Sequence, residues 1–183
     1  MVKKFKNVKE SQITITELML PSNSNFSGKI HGGYILNLMD QIAFACASKH
    51  SGYYCVTASV NKVDFLNPIE VGELVTMKAS INYTGRTSMV VGLRVISENI
   101  RTGETKHCNS SYFTMVAKDE NGKGVAVPGL ILTSENEVRR YARSIVRQKQ
   151  GRNRSSRFRS DTFNINEYIH LLEESNSKIE LKK

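Results

Sequence analysis

The sequence predicts an α+β domain in which an antiparallel sheet curves around one long helix. Three observations carry this expectation. Residues 32–47 are hydrophobic on nearly all sides, as suits a helix buried within a larger core. Four strand-like segments follow in succession, rich in Val, Ile, Met and aromatic residues. The connections between them hold turn residues and are mostly short, which favours antiparallel meanders.

The elements read in order as follows. Residues 11–18 alternate at Ile13 and Ile15 and form a first strand. Residues 21–27 are a loop rich in Ser and Asn. The apolar helix spans about 32–49, and Ser51-Gly52 ends it. Strands are expected over 53–65, 74–83, 88–97 and 104–118, joined at Asn67-Pro68, Val71-Gly72, Thr84-Gly85 and Thr102-Gly103, with Asn121-Gly122 after the last. After Pro128, Ser134 and Glu137 fit a capping box. Val138, Tyr141, Ala142, Ile145 and Val146 then recur at helical spacing, with arginine on the other face. Residues 151–160 read as disordered, and a weaker helical stretch covers about 166–174. The expected division is a domain over 1–133 and, over 134–183, a C-terminal helix with a basic, partly disordered tail. No internal repeat is present.

Composition bounds the function. A chain of 183 residues is one domain with an appendage, and 39% hydrophobic content is ordinary for a soluble protein. No apolar run is long enough to span a membrane, and the basic N-terminus lacks the apolar block of a secretory signal. Cys46, Cys55 and Cys108 lack CxxC spacing. They read as reduced residues of a cytoplasmic protein, neither disulfide-bonded nor bound to a metal. The net charge of +9 is localised. Between Arg139 and Arg159 lie nine Lys/Arg and no Asp/Glu, so the rest of the chain balances at 17 of each sign. Such a run is either a solvated helix face with a loose arm or an attractor of anions.

The chemistry centres on Asp40, expected inside the apolar helix. Asn37, Asp40 and Gln41 stand at i, i+3 and i+4 and share one stripe. A buried carboxylate costs several kcal/mol unless it is satisfied or neutralised, so Asp40 is either capped by local donors or used as a base or nucleophile. Gly32 and Gly33 open the helix. Bare backbone N–H groups at a helix N-terminus can polarise a carbonyl or stabilise an oxyanion; the alternative is close packing on the sheet. Asn25, in the preceding loop, can orient water or substrate, or simply form a turn. His31 reads as helix-entry structure, because no nucleophile elbow accompanies it. Arg86, Thr87 and Ser88 form a turn able to hold phosphate oxygens, or an exposed turn with an incidental arginine.

Taken together, several short motifs resemble one family. They are Asn25-Phe26-Ser27-Gly28-Lys29-Ile30-His31-Gly32-Gly33, Met39-Asp40, Val56-Thr57-Ala58-Ser59-Val60, Asp64-Phe65-Leu66-Asn67-Pro68-Ile69, Val71-Gly72-Glu73 and Gly85-Arg86-Thr87-Ser88-Met89. Phe113 to Ala117 and Val127-Pro128 complete the pattern. In this order they resemble the cytosolic acyl-CoA hydrolase branch of the hotdog-fold thioesterases, over about residues 10–130. The resemblance implies a sheet wrapped around one long helix and hydrolysis of acyl-CoA to free acid and CoA, a role in fatty acid metabolism. It implies Asp40 as the catalytic carboxylate with Asn25 as polar partner, Gly32 and Gly33 at the thioester carbonyl, and Arg86, Thr87 and Ser88 on the CoA phosphates. It also implies no cofactor, since CoA is part of the substrate, and a homodimer assembled as a trimer of dimers, a homohexamer. Residues beyond about 133 inherit nothing from it.

A thioester is already activated, so a carboxylate that activates water and one or two oriented N–H donors suffice. Gly33 and Asp40 lie seven residues apart on one helix, about 10 Å along its axis. Each site is therefore expected to be shared between two antiparallel chains of the homodimer. The alternative is an acyl-CoA-sensing hotdog regulator that binds nucleic acid without hydrolysis through the basic segment. Against it stand the lack of a helix-turn-helix pattern and the sparse aromatic residues of that segment. An inactive scaffold is a third reading, which Asp40, Asn25 and the glycine pair disfavour.

Overall fold

The computed structural model of the chain describes residues 4–157 and residue 164. They contain three α-helices and seven strands: β1 (Phe5–Asn7), α1 (Val8–Ser11), β2 (Ile13–Leu18), α2 (Gly32–Ser51), β3 (Tyr54–Val60), β4 (Leu74–Thr84), β5 (Ser88–Glu98), β6 (Thr105–Lys118), β7 (Gly129–Ile131) and α3 (Glu135–Arg157). Two compact units are present, Met1–Ser144 and Ile145–Lys183. The second contains the remainder of α3 up to Arg157.

The main sheet of the first unit has the order β2-β4-β5-β6-β3, and each adjacent pair is antiparallel. β4, β5 and β6 form the expected meander. β3 departs from simple succession: it pairs with β6, so the chain crosses the whole sheet before β4 begins. The connecting segment explains the path. The expected strand over 53–65 ends at Val60, but Asn61 N–H still donates to Tyr112 O at 3.0 Å and Leu66 N–H to Cys108 O at 2.9 Å. This stretch therefore runs loosely along β6. Ile69 then accepts from Ile30 N–H at 2.9 Å, tying it to the entrance of α2.

Alternation builds the core. Val75, Met77, Ala79 and Ile81 of β4, Met89, Val91, Leu93 and Val95 of β5, and Phe113, Met115 and Ala117 of β6 are buried in one cluster with α2. The helix contributes Ile35, Leu38, Met39, Ile42, Ala43, Cys46 and Ala47. Full burial of each larger apolar side chain contributes about 1.5–3 kcal/mol. All three cysteines are free and buried. Burial pushes the Cys46 thiol up to about 12, and the thiol donates to Ser11 O at 3.2 Å.

The helix starts and stops where the sequence indicated. Gly52 adopts φ 78°, and its N–H donates to Ser48 O at 2.8 Å, a left-handed cap that a side chain would strain. The expectation that α2 is buried on nearly all sides is corrected. Gly33, Asn37, Asp40, Gln41 and Phe44 are exposed, because one sheet covers one side of a helix and nothing among the described residues covers the other.

Local expectations were also refined at the ends. β1 and β7, too short for periodicity to reveal, pair in parallel as a second small sheet. The α3 cap involves Thr133 as well as Ser134. The Ser134 hydroxyl accepts from Glu137 N–H at 3.3 Å, while the Glu137 carboxylate accepts from Thr133 N–H at 2.6 Å. Residues 151–157, expected disordered, continue α3, since helical hydrogen bonding tolerates one glycine at a cost of about 1 kcal/mol. The expectations for 158–160 and for the helical stretch over 166–174 lie outside the described residues.

Candidate active site

Asp40 occupies the exposed stripe of α2, one residue beyond the buried Met39. Its Oδ1 accepts a hydrogen bond from the Thr57 hydroxyl at 2.6 Å. Thr57 lies on β3 directly opposite Met115 of β6, so a rigid strand carries the donor and a rigid helix the acceptor. A short charge-assisted bond of this kind fixes the carboxylate rotamer and leaves Oδ2 as a free acceptor. Asp40, Gln41, Phe44, Tyr54, Cys55, Val56 and Thr57 line a groove of about 620 Å³. Phe44 and Tyr54 meet edge to face across it, with ring centroids 5.4 Å apart.

At the other end of α2 the donors are arranged differently from one another. His31 is the N-cap residue, as its reading as helix-entry structure requires, and its Nδ1 accepts from Gly33 N–H at 2.9 Å. Gly32 N–H has no protein acceptor among the described residues. A Cβ on Gly32 would sit 3.2 Å from the tip of the Phe65 ring. The glycine thus lets Phe65, from the segment between β3 and β4, lie against the helix start. The Tyr34 hydroxyl donates to the Glu17 carboxylate and ties this end of α2 to β2. That bond to Glu17 holds the tyrosine pKa above its ordinary value.

Asn25 shapes the loop before the helix. Its Oδ1 accepts from Ser27 N–H at 2.9 Å, the Ser27 hydroxyl at 2.7 Å and Lys29 N–H at 3.2 Å. Gly28 closes the turn at φ 75°, and Lys29 pairs with Glu70 at 2.6 Å. With Oδ1 committed, the Asn25 amide nitrogen remains an outward donor, without a protein acceptor among the described residues. Asn25 is thus a turn-former through its oxygen and open through its nitrogen.

Arg86 is exposed in the turn between β4 and β5, which Gly85 N–H closes by donating to Ser88 O at 2.7 Å. Ser88 stands opposite Val116, which stands opposite Val56. The turn therefore lies at the same end of the sheet as Thr57, about two strand spacings or 10 Å across. The chain brings Asp40 and Thr57 together and puts the Arg86 turn at their end of the sheet. It does not bring Asp40 to the glycine pair.

Thr57 is the residue to which sequence reasoning gave no role. The available signal was a hydroxyl in the strand after the helix, but periodicity cannot say which helix residue a strand residue faces. No group of three or more His, Cys, Asp or Glu among the described residues could hold a metal ion. No described helix is long and apolar enough to cross a membrane.

Comparison with known proteins bears on this arrangement. The family profile of the thioesterase superfamily matches residues 27–104. Protein VdlD of Helicobacter pylori is 44% identical over 139 residues, 76% of this chain and 79% of that protein. The uncharacterised acyl-CoA thioester hydrolase YkhA of Bacillus subtilis is 34% identical, covering 80% of this chain and 85% of that one. The rat cytosolic acyl coenzyme A thioester hydrolase is 31% identical over 73% of this chain, which spans 36% of that longer protein. Among solved structures, a hexameric acyl-CoA thioesterase superimposes with a TM-score of 0.81 at 38% identity, covering 85% of this chain and 99% of that one. An acyl-CoA hydrolase of Staphylococcus aureus, solved with butyryl-CoA and CoA, gives 0.75 at 29% identity, covering 93% and 99%. Solved variants of the Staphylococcus enzyme replace an aspartate, a threonine and an asparagine by alanine. Their sequence spacing is that of Asp40, Thr57 and Asn25 here.

Proposed function

This chain belongs to the thioesterase superfamily and is an acyl-CoA thioester hydrolase, and on that premise we propose how its residues divide the work. Asp40 is the general base. Its free carboxylate oxygen takes a proton from water as the water oxygen bonds to the thioester carbonyl carbon. The carbonyl oxygen becomes an oxyanion held by backbone N–H at the start of α2 and by the Asn25 amide. The C–S bond then breaks, the acid is released, and the CoA sulfur leaves with the proton that Asp40 carried. Thr57 holds Asp40 in the attacking rotamer. Gly32 N–H is open for the oxyanion from the outset, and Gly33 N–H joins once the thioester oxygen displaces His31 Nδ1. Arg86, Thr87 and Ser88 take CoA phosphates. No step needs a metal or cofactor.

The observation that carries this reading is the 2.6 Å bond from Thr57 to an aspartate on the open stripe of an otherwise buried helix, lining a groove of about 620 Å³. The base and the N–H donors stand about 10 Å apart on one helix, while reacting atoms must come within about 3–3.5 Å. A second copy supplies the missing half. With two α2 helices antiparallel across a two-fold axis, Asp40 of each chain faces the glycine pair of the other. The exposed edge strand β3, with Tyr54 65% exposed, and the open stripe of α2 are the surfaces such a copy would cover. We take the assembly as a homodimer with shared sites, repeated as a trimer of dimers and working in the cytoplasm. The catalytic unit is residues 1–133, and residues 134–183 are an appendage to it.

Complementation tests the shared site. Asp40→Ala and Asn25→Ala proteins, each nearly inactive, are mixed, unfolded and refolded together. A mixed dimer collects both lesions in one site and leaves the other intact, so random pairing restores about a quarter of wild-type sites. No recovery, with mixed dimers shown to form, would place both residues in one chain's site.

A further inference from the structure

The open stripe of α2 carries an amide that the catalytic assignment does not use. Asn37, Asp40 and Gln41 are exposed, while Ile35, Leu38, Met39 and Ile42 around them are buried. Asp40 takes its bond from Thr57, but the Asn37 amide has no protein partner among the described residues. In a single chain, water satisfies it. A second helix laid over the stripe would remove that water, and a covered amide left unpaired is costly. Asparagine at this position therefore constrains what can lie opposite it.

Two-fold symmetry supplies the opposite group. Antiparallel helices related by a two-fold axis set residues against each other at equal distances on either side of that axis. With Asp40 facing Gly33 of the other copy, as the proposed site requires, the axis crosses α2 halfway between them, between Leu36 and Asn37. Leu36 packs on the core cluster of its own chain, so Asn37 is the side chain left at the axis. Packed helices lie about 8–10 Å apart, with Cα atoms about 2.3 Å from each helix axis, which brings the two Asn37 Cα atoms to about 5–7 Å. An amide holds a donor on one atom and an acceptor on the other. When the nitrogen of one Asn37 reaches the oxygen of its copy, symmetry forms the reciprocal bond as well.

We propose that Asn37 is a positioning residue that pairs with its own copy across the two-fold axis and sets the register of the two α2 helices. It touches no reacting atom. The inference rests on the shared-site reading and adds what holds that site in place. Apolar contacts such as those of Phe44 tolerate sliding, whereas one polar position in a helix seam fixes register. A slip of one helical turn, about 5.4 Å, would set Asn37 against Gln41 and carry Asp40 off the N–H groups it must approach. Of these two polar registers, only the self-paired one brings Asp40 to the glycine pair.

Oxidative cross-linking of the full-length protein tests the axis. The three native cysteines are buried, so introduced thiols report alone. Asn37→Cys treated with copper phenanthroline should run as a linked dimer on a non-reducing gel, because disulfides span Cα separations of about 4.4–6.8 Å. Gln41→Cys, one turn further on, should not, since its two copies stand about 12 Å further apart along the helices. Asn37→Leu should stay dimeric and lose about 10–100-fold in kcat, while Asn37→Gln, which keeps the amide, should retain most of the rate. Cross-linking of Gln41→Cys in place of Asn37→Cys, or normal kcat in dimeric Asn37→Leu, would overturn the proposal. Recovered activity in the Asp40→Ala and Asn25→Ala mixture without a cross-link in Asn37→Cys would overturn the role of Asn37 alone and leave the shared site in place. Failure of both would remove the shared site as well.

Discussion

The two stripes of α2 share a helix and a local sequence but obey different rules. One stripe, Ile35, Leu38, Met39, Ile42, Ala43, Cys46 and Ala47, is buried against the sheet. The other, Gly33, Asn37, Asp40, Gln41 and Phe44, is open. Core positions answer to volume: a lost methylene leaves a cavity that rigid neighbours cannot fill. Open positions answer to hydrogen bonding and charge, because water replaces any lost contact. Stability and chemistry are therefore separable on one helix, and substitutions on the two stripes should separate them.

The largest separation is expected at Asp40. Asp40→Asn keeps size and removes the base, so kcat for acyl-CoA hydrolysis should fall by about 10²–10⁴, with the thermal midpoint little changed because the side chain is exposed. Near-normal turnover in the folded variant would remove Asp40 from the mechanism. The converse is Ile42→Ala, two residues away and 2% exposed. It should lose about 2–5 kcal/mol of unfolding free energy by denaturant titration, while turnover by the molecules that remain folded changes far less.

Thr57→Val tests whether the Asp40 carboxylate needs to be held. Loss of a hydrogen bond to a charged group corresponds to roughly a ten- to hundredfold fall in kcat, with a smaller change in KM because the hydroxyl donates its proton to Asp40. Thr57→Ser should restore most of the rate. A fall in Thr57→Val that Thr57→Ser does not reverse would mean that the threonine methyl, and not the hydroxyl, matters.

The smallest effect is expected at the C-terminal end of the buried stripe. His50 is fully buried, takes a bond from the Ser11 hydroxyl at Nδ1 (2.7 Å) and donates from Nε2 to Pro128 O (3.0 Å). This tautomer is neutral, and burial pushes the His50 pKa below its ordinary 6.5. The unfolded chain therefore takes up the proton first. Stability should be flat above pH 7 and decline as pH falls from about 6.5 towards the folded-state pKa. Urea midpoints measured across this range should show that decline, and His50→Gln should flatten it. An unchanged slope in His50→Gln would assign the decline to other groups.

How much of this was readable differs by residue. Gly32 and Gly52 mark the helix ends because capping is local, and Asn37, Asp40 and Gln41 share a stripe because helical spacing is fixed. Ser134 and Glu137 mark the start of α3 to within one residue for the same reason. The candidate site was legible as a set of residue types near one helix. Its connections were not. Asn25 was named without the knowledge that its oxygen is consumed by Ser27 and Lys29. The glycine pair was named as equivalent donors, although His31 occupies the N–H of Gly33 and leaves that of Gly32 open.

The sequence by itself determined the long helix, the five strands of the main sheet, their order along the chain and the stripe that carries Asp40, since these follow from periods of two and 3.6 residues and from turn and cap chemistry within a few positions. The tertiary structure alone decided that β3 lies beside β6, that β1 meets β7, that Thr57 faces Asp40 and that one side of α2 is left uncovered by the described residues. Each of these depends on where the chain returns after a long excursion. That is settled by which surfaces can be buried together, and no local pattern of residues encodes it.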